Sequence, residues 1–158
     1  MYWLLDNSVL SNFSLAGEIG LLKEKLQEKL AIPEEVKKEF LLGIENGIVP
    51  KTDINWLRIL KRKDDEERLF ESFCSRLGKG ESACLAIAIN RKYKLFTDDI
   101  DARNTAQRFE VPVSGTIGML IYLVYKGYIS LEEGNKILSE MISKGYYSPI
   151  EILDDLIK

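Results

Sequence analysis

Two short apolar runs, each closed by an aspartate, constrain this chain more than any other feature. Tyr93 to Phe96, broken only by Lys94, feeds Thr97 and then Asp98, Asp99 and Asp101. Tyr2-Trp3-Leu4-Leu5 repeats the plan at the start and is closed by Asp6-Asn7-Ser8. A short apolar run without alternation reads as a strand buried on both faces, the habit of parallel sheets. In open parallel sheets, ligands bind outside the carboxyl ends of the strands. Both aspartates therefore fall at the rim where a ligand would sit, and they suggest one shared acidic pocket.

The segments between and after these runs read mostly as helices. Ser8 suits the cap of a short helix over residues 9–13. Residues 15–30 carry Ile19, Leu22, Leu26 and Leu30 at helical spacing. Pro33, Glu34 and Glu35 suit the first turn of a helix that runs to Leu42 and stops at Gly43. On it Val36, Glu39 and Phe40 share a face, so Glu39 sits beside two apolar residues. Residues 44–53 read as a turn and a short strand, and 56–60 as a short helix or irregular piece. Residues 64–76 form a charged amphipathic helix. Glu81 opens a helix to Arg91 and crowns a face shared with Cys84, Leu85 and Ala88. A strand over 94–97, a helix over 99–109 and a strand over 111–113 follow, then an apolar helix over 119–125. Ser130 begins a capping box whose helix reaches Lys144, and a last helix spans 148–156. Strands alternating with helices predict an α/β fold, a parallel sheet with helices on both faces.

Composition limits the chemistry. With 158 residues the chain suffices for one domain with a sizeable core. It has no histidine, which removes Ser-His-Asp and Cys-His catalysis and most zinc sites. Cys74 and Cys84 lack metal-ligand spacing, and the expectation is a reducing, cytoplasmic setting. No apolar run nears the ~18 residues of a membrane span, and no leader-like pattern opens the sequence. A formal charge of −3 argues against a constitutive, charge-driven grip on nucleic acid. It leaves room for a nuclease whose acids are neutralised by metal.

Asp6, Glu39, Glu81 and the doublet Asp98-Asp99 each stand at a predicted rim or inward face. Singly, each has an ordinary account as a cap, a turn residue or a solvated helix residue. Together they would raise one another's pKa and oppose folding unless a cation joined them. An all-oxygen donor set favours hard cations such as Mg²⁺ or Mn²⁺. Two such ions ~3.5–4 Å apart would clamp the attacking and leaving oxygens of a phosphodiester.

Five pieces carry a family resemblance. They are Leu4-Leu5-Asp6-Asn7-Ser8-Val9-Leu10, Ile32-Pro33-Glu34-Glu35-Val36-Lys37-Lys38-Glu39, Gly80-Glu81-Ser82-Ala83-Cys84-Leu85-Ala86, Thr97-Asp98-Asp99, and Val113-Ser114-Gly115-Thr116-Ile117-Gly118. In order and spacing the chain resembles the PIN-domain family of metal-dependent ribonucleases, and within it the VapC-like toxin branch, over residues 2–127. The resemblance implies a three-layer α/β/α domain over 1–158, with 128–158 a helical extension packed on it. It implies that Asp6, Glu39, Glu81 and Asp99 form an acidic site for Mg²⁺ or Mn²⁺, with Ser8 and Thr97 as supporting hydroxyls. The family often has Asp where this chain has Glu81. The doublet leaves open which aspartate binds metal; Asp99 is favoured, with Asp98 in support. Lys79, Arg103 and Arg108 are candidates for contacting phosphates. The implied activity is endonucleolytic cleavage of single-stranded RNA by a toxin with an antitoxin partner. PIN-like toxins commonly form homodimers, and the aromatic residues within 117–147 suit an interface.

Two other functions compete. In one, Asp6 is the nucleophile of a small phosphatase, as in haloacid-dehalogenase-like enzymes, although Asn7-Ser8 lacks their second aspartate two residues on. In the other, the chain is a PIN-like interaction module without turnover.

Overall fold

The computed structural model describes residues 1–157. Five strands, β1 (Trp3–Leu5), β2 (Leu30–Pro33), β3 (Arg58–Leu60), β4 (Lys94–Phe96) and β5 (Val113–Ser114), form one parallel sheet in the order β3-β2-β1-β4-β5. Among the described residues there are eight α-helices: α1 (Asn7–Leu15), α2 (Ile19–Leu26), α3 (Glu34–Glu45), α4 (Glu67–Cys74), α5 (Lys79–Arg91), α6 (Ile100–Arg108), α7 (Thr116–Tyr125) and α8 (Leu131–Ser143). Successive strand residues point to opposite faces, and Leu4, Leu5, Leu30, Ala31, Ile32, Leu95 and Phe96 are all buried. Both faces of the sheet are therefore covered, as the continuous apolar runs require.

The topology makes the site. β1 pairs with β2 on one side and with β4 on the other. The chain leaves β1 toward β2 and leaves β4 toward β5, so the crossovers diverge between the two central strands. A crevice opens at such a switch point, outside the carboxyl ends. Asp6 follows β1 there, and Thr97, Asp98 and Asp99 follow β4. The Asp6 amide donates to the Phe96 carbonyl at 2.9 Å, so the ladder runs one residue past β1. α5 crosses beneath this crevice and is buried nearly all round, from Gly80 to Ala88. α8 joins the same core through Ile137, Leu138 and Met141.

Four details differ from the sequence expectation. The helix expected over 15–30 ends at Leu26, because Leu30 opens β2 and pairs with Trp3. Leu26 and Leu30 keep helical spacing, but sheet pairing overrides the local pattern. The strand expected within 44–53 lies instead at β3, an edge strand whose partial exposure removes the buried apolar signature. The last helix, expected over 148–156, is a single 3₁₀ turn at Asp154–Leu156. There Leu153 is buried and its amide donates to Asn135 Oδ1 at 2.7 Å, so a side chain replaces the helical acceptor. Ser8 makes no cap: the N-cap of α1 is Asp6, and no side-chain bond caps that helix.

Candidate active site

The centre is a web of hydroxyls, carboxylates and backbone amides that ties the end of β1 to the end of β4. Thr97 Oγ1 donates to Asp6 Oδ2 at 2.8 Å and accepts the Asp99 amide at 3.2 Å. Ser8 Oγ donates to the same Asp6 oxygen at 3.4 Å and accepts the Asp98 amide at 3.1 Å. Asp6 is 4% exposed, and its other oxygen, Oδ1, is buried without a partner. Burial raises the Asp6 carboxyl above its ordinary value, the Thr97 hydrogen bond opposes the rise, and the Asp99 charge adds to it.

Asp99 does two things. Its Oδ2 accepts the Ala102 amide at 2.8 Å and caps α6, so the ordinary account of this residue holds. Its carboxylate also faces Glu81 from α5. Burial first, then the hydrogen bond to Asp99 and the charges of Asp6 and Asp99, raise Glu81 to about 8. Glu81 Oε2 is buried and has no donor nearby.

Glu39 reaches the same centre from α3. A Cβ on Gly80 would stand 2.6 Å from Glu39 Oε1 and 3.8 Å from Asp6 Oδ1, which puts both acids over the start of α5. Burial and the Asp6 charge raise the Glu39 carboxyl, and Asn7 Nδ2, donating at 3.4 Å, opposes them. The same acids are felt from below. Burial, then Asp6, Glu39 and Glu81, push the Cys84 thiol well up, so it is an inert core residue.

The structure thus brings Asp6, Glu39, Glu81 and Asp99 together, with Ser8 and Thr97 among them. Asp98 it turns elsewhere. Its Oδ1 accepts the Thr116 amide at 2.8 Å, and its Oδ2 accepts Thr116 Oγ1 at 2.5 Å and Asn12 Nδ2 at 3.1 Å. With both oxygens engaged, Asp98 ties β4 to α1 and to the start of α7. Sequence reasoning missed Asn12. The available signal was its place one helical turn after Ser8, a polar side chain on a buried face. Lys79 is exposed beside Glu39, Arg103 donates to the Thr97 carbonyl at 3.2 Å, and Arg108, at the end of α6, lines a surface hollow with Arg76.

The donor chemistry fits a hard divalent cation. All four side chains are carboxyls, and Asp6 Oδ1 and Glu81 Oε2 are buried oxygens that lack partners. The arrangement is not closed: among the described residues no group of three or more acids or cysteines stands so that it holds a metal ion as it is. Glu81 and Asp99 face one another instead.

The family model DUF3368, described as a PIN domain, matches residues 2–158. No curated protein matches the chain. Among solved structures, the crystal structure of PAE2754 from Pyrobaculum aerophilum superposes with a TM-score of 0.57 at 15% identity, over 79% of this chain and 90% of that one. At that identity the likeness shows the fold. PIN domains are generally nucleases and typically use divalent metals. Among the described residues no helix is long and apolar enough to cross a membrane. The match along nearly its whole length, on a parallel α/β sheet with acids at its switch point, means that this chain belongs to the DUF3368 family of PIN domains.

Proposed function

We propose that this protein is a metal-dependent endoribonuclease that hydrolyses phosphodiesters of single-stranded RNA, and that it is the toxin of a toxin–antitoxin pair in the cytoplasm. The observation that carries the nuclease reading is the meeting of Asp6, Glu81 and Asp99, with two buried oxygens left without partners. The toxin role rests on the motif resemblance.

A bound Mg²⁺ or Mn²⁺ supplies Lewis-acid stabilisation of the phosphoryl oxygens and lowers the pKa of water. Asp6 and Asp99 are the ligands in this reading. Thr97 and Ser8 hold Asp6 Oδ2 and so keep Oδ1 aimed into the crevice. Glu81, whose buried Oε2 has no partner, would complete the ligand set. Glu39, steadied by Asn7, orients the attacking water. Asp98 takes no part beyond anchoring the loop. Residues 1–158 act as one domain, and Tyr125 and Tyr147, 81% and 97% exposed, suit a homodimer interface. The open arrangement of the acids also favours a second reading, an interaction module without turnover.

One preparation tests these readings. A mixed RNA pool is incubated with wild type and with Asp6→Asn, in Mg²⁺, Mn²⁺ or EDTA. Cleavage by wild type only, and only with metal, is the expected result. Equal cleavage by both proteins, or cleavage in EDTA, overturns the metal-site reading, and no cleavage by either leaves the binding module. Light scattering should give twice the 18.1 kDa chain mass, and a monomer at all concentrations overturns the dimer.

A further inference from the structure

Beside the acid centre lies a groove of about 520 Å³, bounded by α3, α4 and the start of α5, and it shares Glu39 and Gly80 with that centre. Its volume is in the range of small-ligand sites. On one wall the Arg62 guanidinium lies 3.5 Å from the centre of the Phe70 ring. Arg62 Nε donates to Glu35 Oε2 at 3.0 Å, and Nη1 pairs with Glu67. Two carboxylates and one ring therefore fix the guanidinium plane. Its side chain is 19% exposed, and it lines the groove. Leu42, 54% exposed, adds an apolar surface. Lys38 and Lys79 stand at the rim, both exposed, and among the described residues neither forms an ion pair.

A fixed flat cation backed by an aromatic ring is a stacking platform for a nucleobase. Two free ammonium groups beside it suit the phosphates of the same strand. The chemistry favours a nucleotide over a peptide, because the wall presents a stacking plane and charge rather than a strand edge. We propose that this groove is a nucleotide subsite next to the acid centre: one base lies on the open face of Arg62, and its flanking phosphates meet Lys38 and Lys79. The subsite rests on the nuclease reading, and it assigns the neighbouring residue of the strand to a defined wall of the protein.

The test reads binding without turnover. A fluorescein-labelled single-stranded RNA octanucleotide is titrated in EDTA, and anisotropy is followed at several salt concentrations. The double variant Lys38→Ala/Lys79→Ala changes exposed side chains and keeps the fold. It should bind more weakly and flatten the log-affinity against log-salt slope by roughly 1.4, at ~0.7 per phosphate on a single strand. Arg62→Lys keeps the charge and removes the plane. It should lose roughly 5- to 150-fold in affinity, the range of one base stack. An octanucleotide with one abasic position, walked along the strand, should show a similar loss at a single register. Wild-type affinity and slope in both variants overturn the subsite, as does failure of the wild type to bind. Unchanged RNA binding with an altered mass in light scattering makes the groove a protein-docking surface and also overturns it. Cleavage by wild type and Asp6→Asn in Mg²⁺ reports on the acid centre separately. If cleavage is metal-dependent while the groove variants bind normally, the subsite alone has failed. Weakened binding without any cleavage fails the nuclease reading and keeps the groove as a nucleotide site.

Discussion

At the residue scale the doublet Asp98-Asp99 shows how neighbours with one chemistry divide. Asp98 has spent both oxygens on Thr116 and Asn12, whereas Asp99 has spent one on a helix cap and turned its carboxylate to Glu81. Substitution should separate them in crossed fashion. Asp98→Asn keeps one oxygen for the Thr116 amide but sets its NH2 against Asn12 Nδ2, a second donor, and a buried polar group left unmatched costs about 1–3 kcal/mol. It should lower the melting temperature in EDTA and leave the increment produced by Mn²⁺ intact. Asp99→Asn keeps a capping side chain and removes a crowded charge. It should melt within ~0.5 kcal/mol of wild type or above it, and lose most of the Mn²⁺ increment, which for wild type is ~2.7 kcal/mol at a hundredfold excess over the dissociation constant. Thermal melts of the three proteins with and without Mn²⁺ decide it. A normal Mn²⁺ increment in Asp99→Asn would remove that residue from the metal site.

At the scale of elements, α5 carries the site because its first turn lets α3 come close. A Cβ on Gly80 would also stand 3.3 Å from Val36 Cγ2, so an alanine there must turn Glu39 aside or push the two helices apart. Gly80→Ala should reduce metal-dependent cleavage at least tenfold, and move stability by no more than about 2 kcal/mol, since overpacking offsets the gain in helix propensity. A fully active Gly80→Ala would show that the close approach is not needed for chemistry. The same elements show what the sequence makes legible. β1, β4 and α5 were readable because buried apolar runs leave few alternatives. α8 was readable from its capping box, in which Ser130 Oγ accepts the Glu133 amide and Glu133 Oε1 accepts the Ser130 amide. β2 was hidden by apolar spacing that suits a helix equally, and β3 by its place at the sheet edge. Of the site, the acids at strand ends were visible. The link from Asn12 to Asp98 and Thr116 was not, because it joins residues 86 and 104 positions apart and leaves no local pattern.

For the molecule as a whole, the crowded acids set how stability follows pH. Asp6, Glu39 and Glu81 all have raised values when folded, from ordinary values of 3.8, 4.5 and 4.5. Between about pH 4.5 and 8 the folded chain holds more protons than the unfolded one, so stability falls as pH rises through that window. Glu66 acts in the opposite sense: burial raises it, but hydrogen bonds from Arg91, Lys63 and Asn90 outweigh burial, and its contribution is lost as pH falls. One full proton would give ~1.4 kcal/mol per pH unit; Glu81 is only half-buried and Glu39 is exposed, so water screens much of this. In EDTA the melting temperature should drop by several degrees from pH 5.5 to 8.5, and saturating Mn²⁺ should flatten the curve. A melting temperature that climbs over that range in EDTA would contradict the crowding. The pairing of β1 with β4 also has a consequence in time. Asp6 leaves the ribosome before its partner Thr97, which lies 91 positions later. Contacts so distant in sequence close late in folding. A nascent chain therefore carries Asp6, Glu39 and Glu81 without the strand that organises them, and the centre is assembled only after β4 has emerged.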